Sequence, residues 1–175
     1  MREVLIDTET TGLDPNDGHR LIEVAGVEIF DGELLGARYH CYIHPEMDMD
    51  AGVTAVHGIT NEFLSDKPVF KQIADGFLGF IDGATLVAHN AHFDIKFINA
   101  ELTRIGYPAL DSEQRVIDTL PICKGLFPGK KNDLDSLLQR FDISPEGRDS
   151  FGALLDAELM AEVYIQLRRL LAAGD

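Results

Sequence analysis

Two carboxylates stand at alternate positions near the start of this chain, in Val4-Leu5-Ile6-Asp7-Thr8-Glu9-Thr10-Thr11-Gly12-Leu13. The apolar residues Val4 to Ile6 predict a buried strand, and side chains on a strand alternate between faces. Asp7 and Glu9 therefore point the same way. Two like charges on one face repel unless something positive lies between them, and hard divalent cations favour carboxylate oxygen. The run is a candidate metal site at the C-terminal end of a strand. An isolated Asp-x-Glu would read only as an acidic loop after an edge strand; the rest of the chain raises the metal reading above it.

Two further acids fit the same chemistry. In Ala88-His89-Asn90-Ala91-His92-Phe93-Asp94 a strand ends, a short turn follows, and Asp94 falls in the first turn of the next helix. The helix dipole favours an acid there for purely structural reasons. The functional reading is that Asp94 leaves the sheet edge close to Asp7, because sites in open α/β sheets gather beyond the C-terminal ends of strands. Asp156, in Phe151-Gly152-Ala153-Leu154-Leu155-Asp156-Ala157, has almost only apolar or small neighbours. A carboxylate on such a face needs a partner, either a metal ion or a backbone or arginine contact. Asp118, at another strand end, ranks below these three as a helix cap or supporting residue.

The elements that must carry these residues follow from periodicity and turn chemistry. Residues 2–7, 20–30 and 34–43 read as a three-stranded meander, with turns at 12–18 and at Asp31-Gly32. Short helical pieces are expected at 51–57 and 61–65, and a longer helix over 69–81 from Val69, Ile73, Phe77, Phe80 and Ile81. A strand at 85–89 leads into a helix over 92–105, and a strand at 115–118 into a helix over 119–126. Helices over 133–141 and 152–171 complete the chain, the last with Ser150 as N-cap. Antiparallel strands first and strand–helix alternation after predict an α/β fold, a mixed five-stranded sheet flanked by helices.

Bulk properties bound the function. With 175 residues, one domain over 1–175 is expected. No apolar run is long enough for a membrane span, no basic leader precedes the first strand, and Cys41 and Cys123 form no C-x-x-C pair. A cytoplasmic location with reduced thiols is the expectation. The net charge of −15 argues against simple electrostatic binding of nucleic acid. Metal ions held by carboxylates would nonetheless present positive charge to phosphate. Lys124, Lys130, Lys131, Arg140 and Arg148 are the densest basic cluster; a rim that tracks phosphates is one reading, and solvated charge is the other.

Asp7-x-Glu9 after one strand, Asn90-x-x-Phe93-Asp94 after a later one and Asp156 near the C-terminus resemble the DEDD exonuclease superfamily. Val56-His57-Gly58-Ile59-Thr60, Phe127-Pro128-Gly129-Lys130 and Gly152-Ala153-Leu154-Leu155-Asp156-Ala157 are similar to its proofreading branch, the epsilon subunits of bacterial replicative polymerases. The resemblance implies an RNase H-like fold. It implies that Asp7, Glu9, Asp94 and Asp156 hold two Mg²⁺ or Mn²⁺ ions, which activate a water and stabilise the departing 3′ oxygen. It also implies a single-stranded DNA 3′ end as substrate, with Thr10, Leu13, Val56, His57 and Phe93 bordering the terminal nucleotide. Core packing is the alternative for Val56 and Phe93, and a plain loop position for His57. A polymerase catalytic subunit is the implied partner, through a C-terminal tail where one exists.

One position departs from the family pattern. The histidine-containing branch places its general base five residues before the last aspartate, and here that residue is Phe151; the tyrosine-containing branch uses the fourth, here Gly152. Phenylalanine accepts no proton, so metal binding is expected to persist and hydrolysis to be strongly weakened. A noncatalytic binding subunit and an exoribonuclease of the same superfamily are the competing expectations.

Overall fold

The apolar runs at both ends of the first half pair around a central strand. The computed structural model describes residues 1–110, 115–146 and 152–174. Strands β1 (Arg2–Thr10), β2 (Leu21–Phe30), β3 (Glu33–Tyr42), β4 (Thr85–Ala88) and β5 (Val116–Asp118) form one sheet in the order β3-β2-β1-β4-β5. The meander β1-β2-β3 is antiparallel, whereas β4 lies parallel to β1 and β5 parallel to β4. Asp31 and Gly32, both with positive φ, make the two-residue turn between β2 and β3, where left-handed backbone matches the twist of the flanking strands.

Helices cover both faces. They are α1 (Ala51–His57), α2 (Asn61–Leu64), α3 (Phe70–Ile81), α4 (Ala91–Arg104), α5 (Thr119–Leu126), α6 (Leu134–Phe141) and α7 (Ala153–Ala173). Alternation along β1 decides which face each residue serves. Val4 and Ile6 join Phe70, Phe77 and Phe97 of α3 and α4 in one core. Leu5 points the other way and packs with Leu137 of α6 and Ala157, Ala161 and Val163 of α7. Asp7 and Glu9 share the parity of Leu5, so they face α7 and not α3.

Helix α7 lies against this face on a stripe of small residues. Ala153, Ala157 and Ala161 recur every four positions and are fully buried, which lets the helix axis approach β1 and β2 closely. Asp156 sits in the first turn of the same helix, on the buried stripe that continues through Leu159, Met160, Val163 and Leu167. The helix begins one residue later than its apolar pattern suggests, with Gly152 at the N-cap and no side-chain cap. Ser150 and Arg148 lie outside the described residues.

Candidate active site at the sheet edge

Three of the four acids singled out by spacing meet in space. Asp7 and Glu9 from β1 and Asp156 from α7 each offer a carboxylate oxygen, and these oxygens all lie within 4.8 Å of one another. A bulge in the β1–β2 register follows Glu9 directly and ends the regular ladder beside the acids. Burial pushes the Asp7 carboxyl well above the usual carboxylate range, and the neighbouring charges of Asp94, Glu9 and Asp156 push it further. That is the electrostatic signature of a site built to receive positive charge.

Asp94 stands outside this group of three, yet it exerts the largest like-charge effect on Asp7. It is buried in the first turn of α4, and the Thr8 hydroxyl donates to its Oδ1 at 2.7 Å. Burial raises its carboxyl to about 7, with the Thr8 hydrogen bond opposing the rise. The turn that delivers Asp94 is tied down by Asp118. That carboxylate caps α5 by accepting from the Leu120 amide at 2.9 Å, and accepts from the Asn90 and Ala91 amides at 3.0 Å each. Asn90 takes the left-handed conformation, φ 69°, so the chain turns sharply from β4 into α4.

The comparisons with known proteins bear on this arrangement. The family described as Exonuclease (RNase_T) matches residues 4–164. The DNA polymerase III subunit epsilon of Rickettsia typhi is 49% identical over 172 residues, spanning 95% of this chain and 74% of that protein. The subunit of the same name from Escherichia coli is 42% identical over 172 residues, spanning 95% and 71%. In shape, the chain is similar to the nuclease domain of 3′hExo, a DEDDh family member solved with rAMP bound. The TM-score is 0.81 at 17% identity, over 96% of this chain and 92% of that one. The chain belongs to the exonuclease family.

In this exonuclease the cavity carrying Asp7 and Asp156 encloses about 230 Å³ and is also lined by His89, Asp133, Leu134, Asp135 and Met160. Neither lysine nor arginine is among these described lining residues. His89 ends the β4 segment. Its Nε2–H donates to the Asn132 carbonyl at 2.6 Å, and its Nδ1 lies 2.8 Å from the Thr119 hydroxyl. Burial lowers its pKa, which keeps the ring neutral and its tautomer fixed by the carbonyl.

The residues expected to border a terminal nucleotide are dispersed in character. Leu13 is 86% exposed and Val56 is 62% exposed, so neither is spent on the core. A Cβ on Gly12 would come within 2.4 Å of the His19 ring, so the turn presenting Leu13 requires glycine there. Thr10 is buried, its hydroxyl donating to the Gly12 carbonyl at 2.6 Å. His57 closes α1 and is buried; its Nδ1 accepts from the Ile59 amide at 3.1 Å, and its Nε2 has no partner among the described residues. Phe93 is half-buried, with its ring centroid 5.0 Å from that of Phe97. Phe151 lies outside the described residues.

Sequence reasoning passed over four residues at this site. Thr8 supports Asp94 from the opposite face of β1, a position that alternation alone assigns to the core. His89 and Asp135 line the cavity, and only the proximity of His89 to Asp94 in the chain hinted at its place. Glu23 pairs with Glu9 in register and is 1% exposed; its Oε1 accepts from His40 Nε2 at 2.7 Å, while Oε2 has no partner among the described residues. The hydrophobic run Leu21 to Val27 concealed this acid. No described helix is long and apolar enough to cross a membrane.

Proposed function

We propose that residues 1–175 act as the 3′–5′ exonuclease domain of a replicative polymerase's proofreading subunit, trimming single-stranded DNA 3′ ends. On this reading Asp7, Glu9, Asp94 and Asp156 hold two divalent cations, Mg²⁺ or Mn²⁺, and the polymerase catalytic subunit is the partner. The convergence of three carboxylate oxygens within 4.8 Å carries it. The donor set is hard oxygen, in a cavity without a lysine or arginine among its described lining residues, which suits a small divalent cation. When bound, the cations supply charge to activate water and to stabilise the leaving oxygen.

The chain's own residues do the rest. Asp7, at the centre of the mutual repulsion, lies where a scissile phosphate must be drawn in. Asp94 is held by Thr8 in one orientation. Leu13 and Val56 offer exposed apolar surface to a terminal base, and His57 and Phe93 complete the set that borders it on this reading. The reaction breaks the bond between phosphorus and the 3′ oxygen of the penultimate nucleotide. It releases a nucleoside 5′-monophosphate and leaves a new 3′ hydroxyl. Phe151, five residues before Asp156 in the sequence, replaces the residue that serves as the family's base and accepts no proton, so turnover is slow.

The test is a 5′-labelled single-stranded oligonucleotide incubated with the chain and Mn²⁺, repeated with EDTA and with RNA. Slow trimming from the 3′ end, lost in EDTA, is the expected result. Phe151→His should raise the rate by about 10²–10⁴-fold, the usual contribution of a positioned base. No rise on that substitution would remove the vacancy at 151 as the limit on catalysis. Metal binding without cleavage would make the chain a binding subunit, and a preference for RNA would make it an exoribonuclease.

A further inference from the structure

One cleft in this acidic molecule is lined by lysines. It encloses about 510 Å³ between His89, Leu120, Lys124, Phe127, Lys130 and Asn132, with Gly129 and Asp133 at its margin. Both lysine side chains are exposed. Two of its walls, His89 and Asp133, also line the cavity that carries Asp7 and Asp156, so the two adjoin. Asp133 is the one carboxylate among the described lining residues, and it accepts from the Ser136 amide at 2.9 Å as the cap of α6.

The loop that forms the cleft is braced. Arg140 reaches back from α6, donating from Nη1 to Asn132 Oδ1 at 3.0 Å and from Nη2 to the Lys131 carbonyl at 2.8 Å. Its guanidinium lies over the Phe127 ring, 4.4 Å from the centroid. The Asn132 amide donates to the Lys130 carbonyl at 3.1 Å, and His89 fastens the Asn132 carbonyl to the end of β4. Arg140 is therefore committed to holding the loop. Lys124 and Lys130 are the cations left facing the cleft among its described lining residues.

Position in the sheet gives the cleft its occupant. A scissile phosphate at Asp7 has the terminal nucleoside on one side and the rest of the strand on the other. Val56 and His57 belong to α1, which packs through Val53 with Ile22 of β2 and Tyr42 of β3. The lysine cleft lies on the opposite side, beyond β4 and β5. We propose, resting on the exonuclease reading above, that this cleft receives the strand 5′ to the bond being cut. Lys124 and Lys130 meet its phosphates, and Leu120 and Phe127 lie beside its sugars and bases. In a chain of net charge −15, this short basic track directs a single strand toward the acids.

The test compares the wild type with the double variant Lys124→Ala/Lys130→Ala, with Ca²⁺ replacing Mg²⁺ to suppress hydrolysis. Fluorescence anisotropy of labelled (dT)8 is measured across a salt series, with thymidine 5′-monophosphate binding measured alongside. Two lost phosphate contacts on a single strand should lower the slope of log K against log salt by about 1.4, which is roughly a 20-fold loss of (dT)8 affinity at 0.1 M salt. Mononucleotide binding and the Tm should not change, and Lys124→Arg/Lys130→Arg should retain (dT)8 binding. Equal (dT)8 affinity in wild type and the alanine variant would overturn the cleft assignment and leave the exonuclease reading standing. Equal losses for (dT)8 and the mononucleotide would also overturn it. A wild type that binds neither probe would overturn both.

Discussion

Glu3 and Glu101 are among the most deeply buried acids of the described residues, and each meets an arginine; Asp7, Glu9 and Asp156 meet one another. Arg20 grips Glu101 with both ends of its fork, Nε to Oε1 at 2.7 Å and Nη2 to Oε2 at 2.8 Å, and the Leu21 amide adds a third donor. Glu3 accepts from Arg168 at 2.6 Å and from the Tyr164 hydroxyl at 2.8 Å. These two acids are neutralised within the fold and tie distant segments together. At the end of β1, burial first and the neighbouring like charges second raise Asp7, which leaves folding with an electrostatic debt. One arrangement pairs each acid with a cationic side chain; the other gathers three acids within reach of one another.

Breaking the paired arrangement should have the largest effect on stability. Arg20→Met leaves Glu101 buried without its counter-charge, which typically destabilises by about 3–5 kcal/mol. Urea unfolding should show that loss, while Mn²⁺ binding by calorimetry stays intact. A shift under 1 kcal/mol would mean that Glu101 is neutralised by other means. At the cluster of Asp7, Glu9 and Asp156 the sign should reverse. Asp7→Asn removes one of several repelling charges and should stabilise the metal-free chain by about 1 kcal/mol, or roughly 2–4 °C in Tm. The same substitution should abolish the gain in Tm that Mn²⁺ gives the wild type. A less stable Asp7→Asn chain in EDTA would break the contrast.

The smallest effect is in pH. The Asp94 carboxyl is held up to about 7 in the folded chain against an ordinary value of 3.8. The folded state therefore takes up this proton more readily than the unfolded one. Its contribution to stability is fully present below about pH 4 and is lost as pH rises through about 7. In EDTA, the Tm should fall between pH 6 and pH 8 by more than it does in Mn²⁺, where the ionised carboxylate is the favoured form. Parallel profiles with and without metal would separate Asp94 from the cation site.

How far the sequence reached depends on whether a residue's role is local. Alternation in β1 is local: it put Asp7 and Glu9 on one face, and the structure has them so. The turn after β4 and the first-turn place of Asp94 are equally local, as is Asp118 at the cap of α5. The apolar surroundings of Asp156 marked it as an acid in need of company but named no partner. Glu23 was not singled out, because a strand residue's role is fixed by what lies across the sheet from it, and nothing near it in the chain records that.

The amino-acid sequence by itself determined the order of the elements, the faces of the strands, and which acids were candidates for the site. Periodicity and turn chemistry act over a few residues, so they are written in the chain. Only tertiary structure decided that Asp156 closes on Asp7 and Glu9 while Asp94 is held apart by Thr8. It also decided that Arg140 braces a lysine cleft that adjoins the same cavity. Those contacts join segments many residues apart, and their distances exist only once α7 has packed on β1 and the loop after α5 has closed on β4.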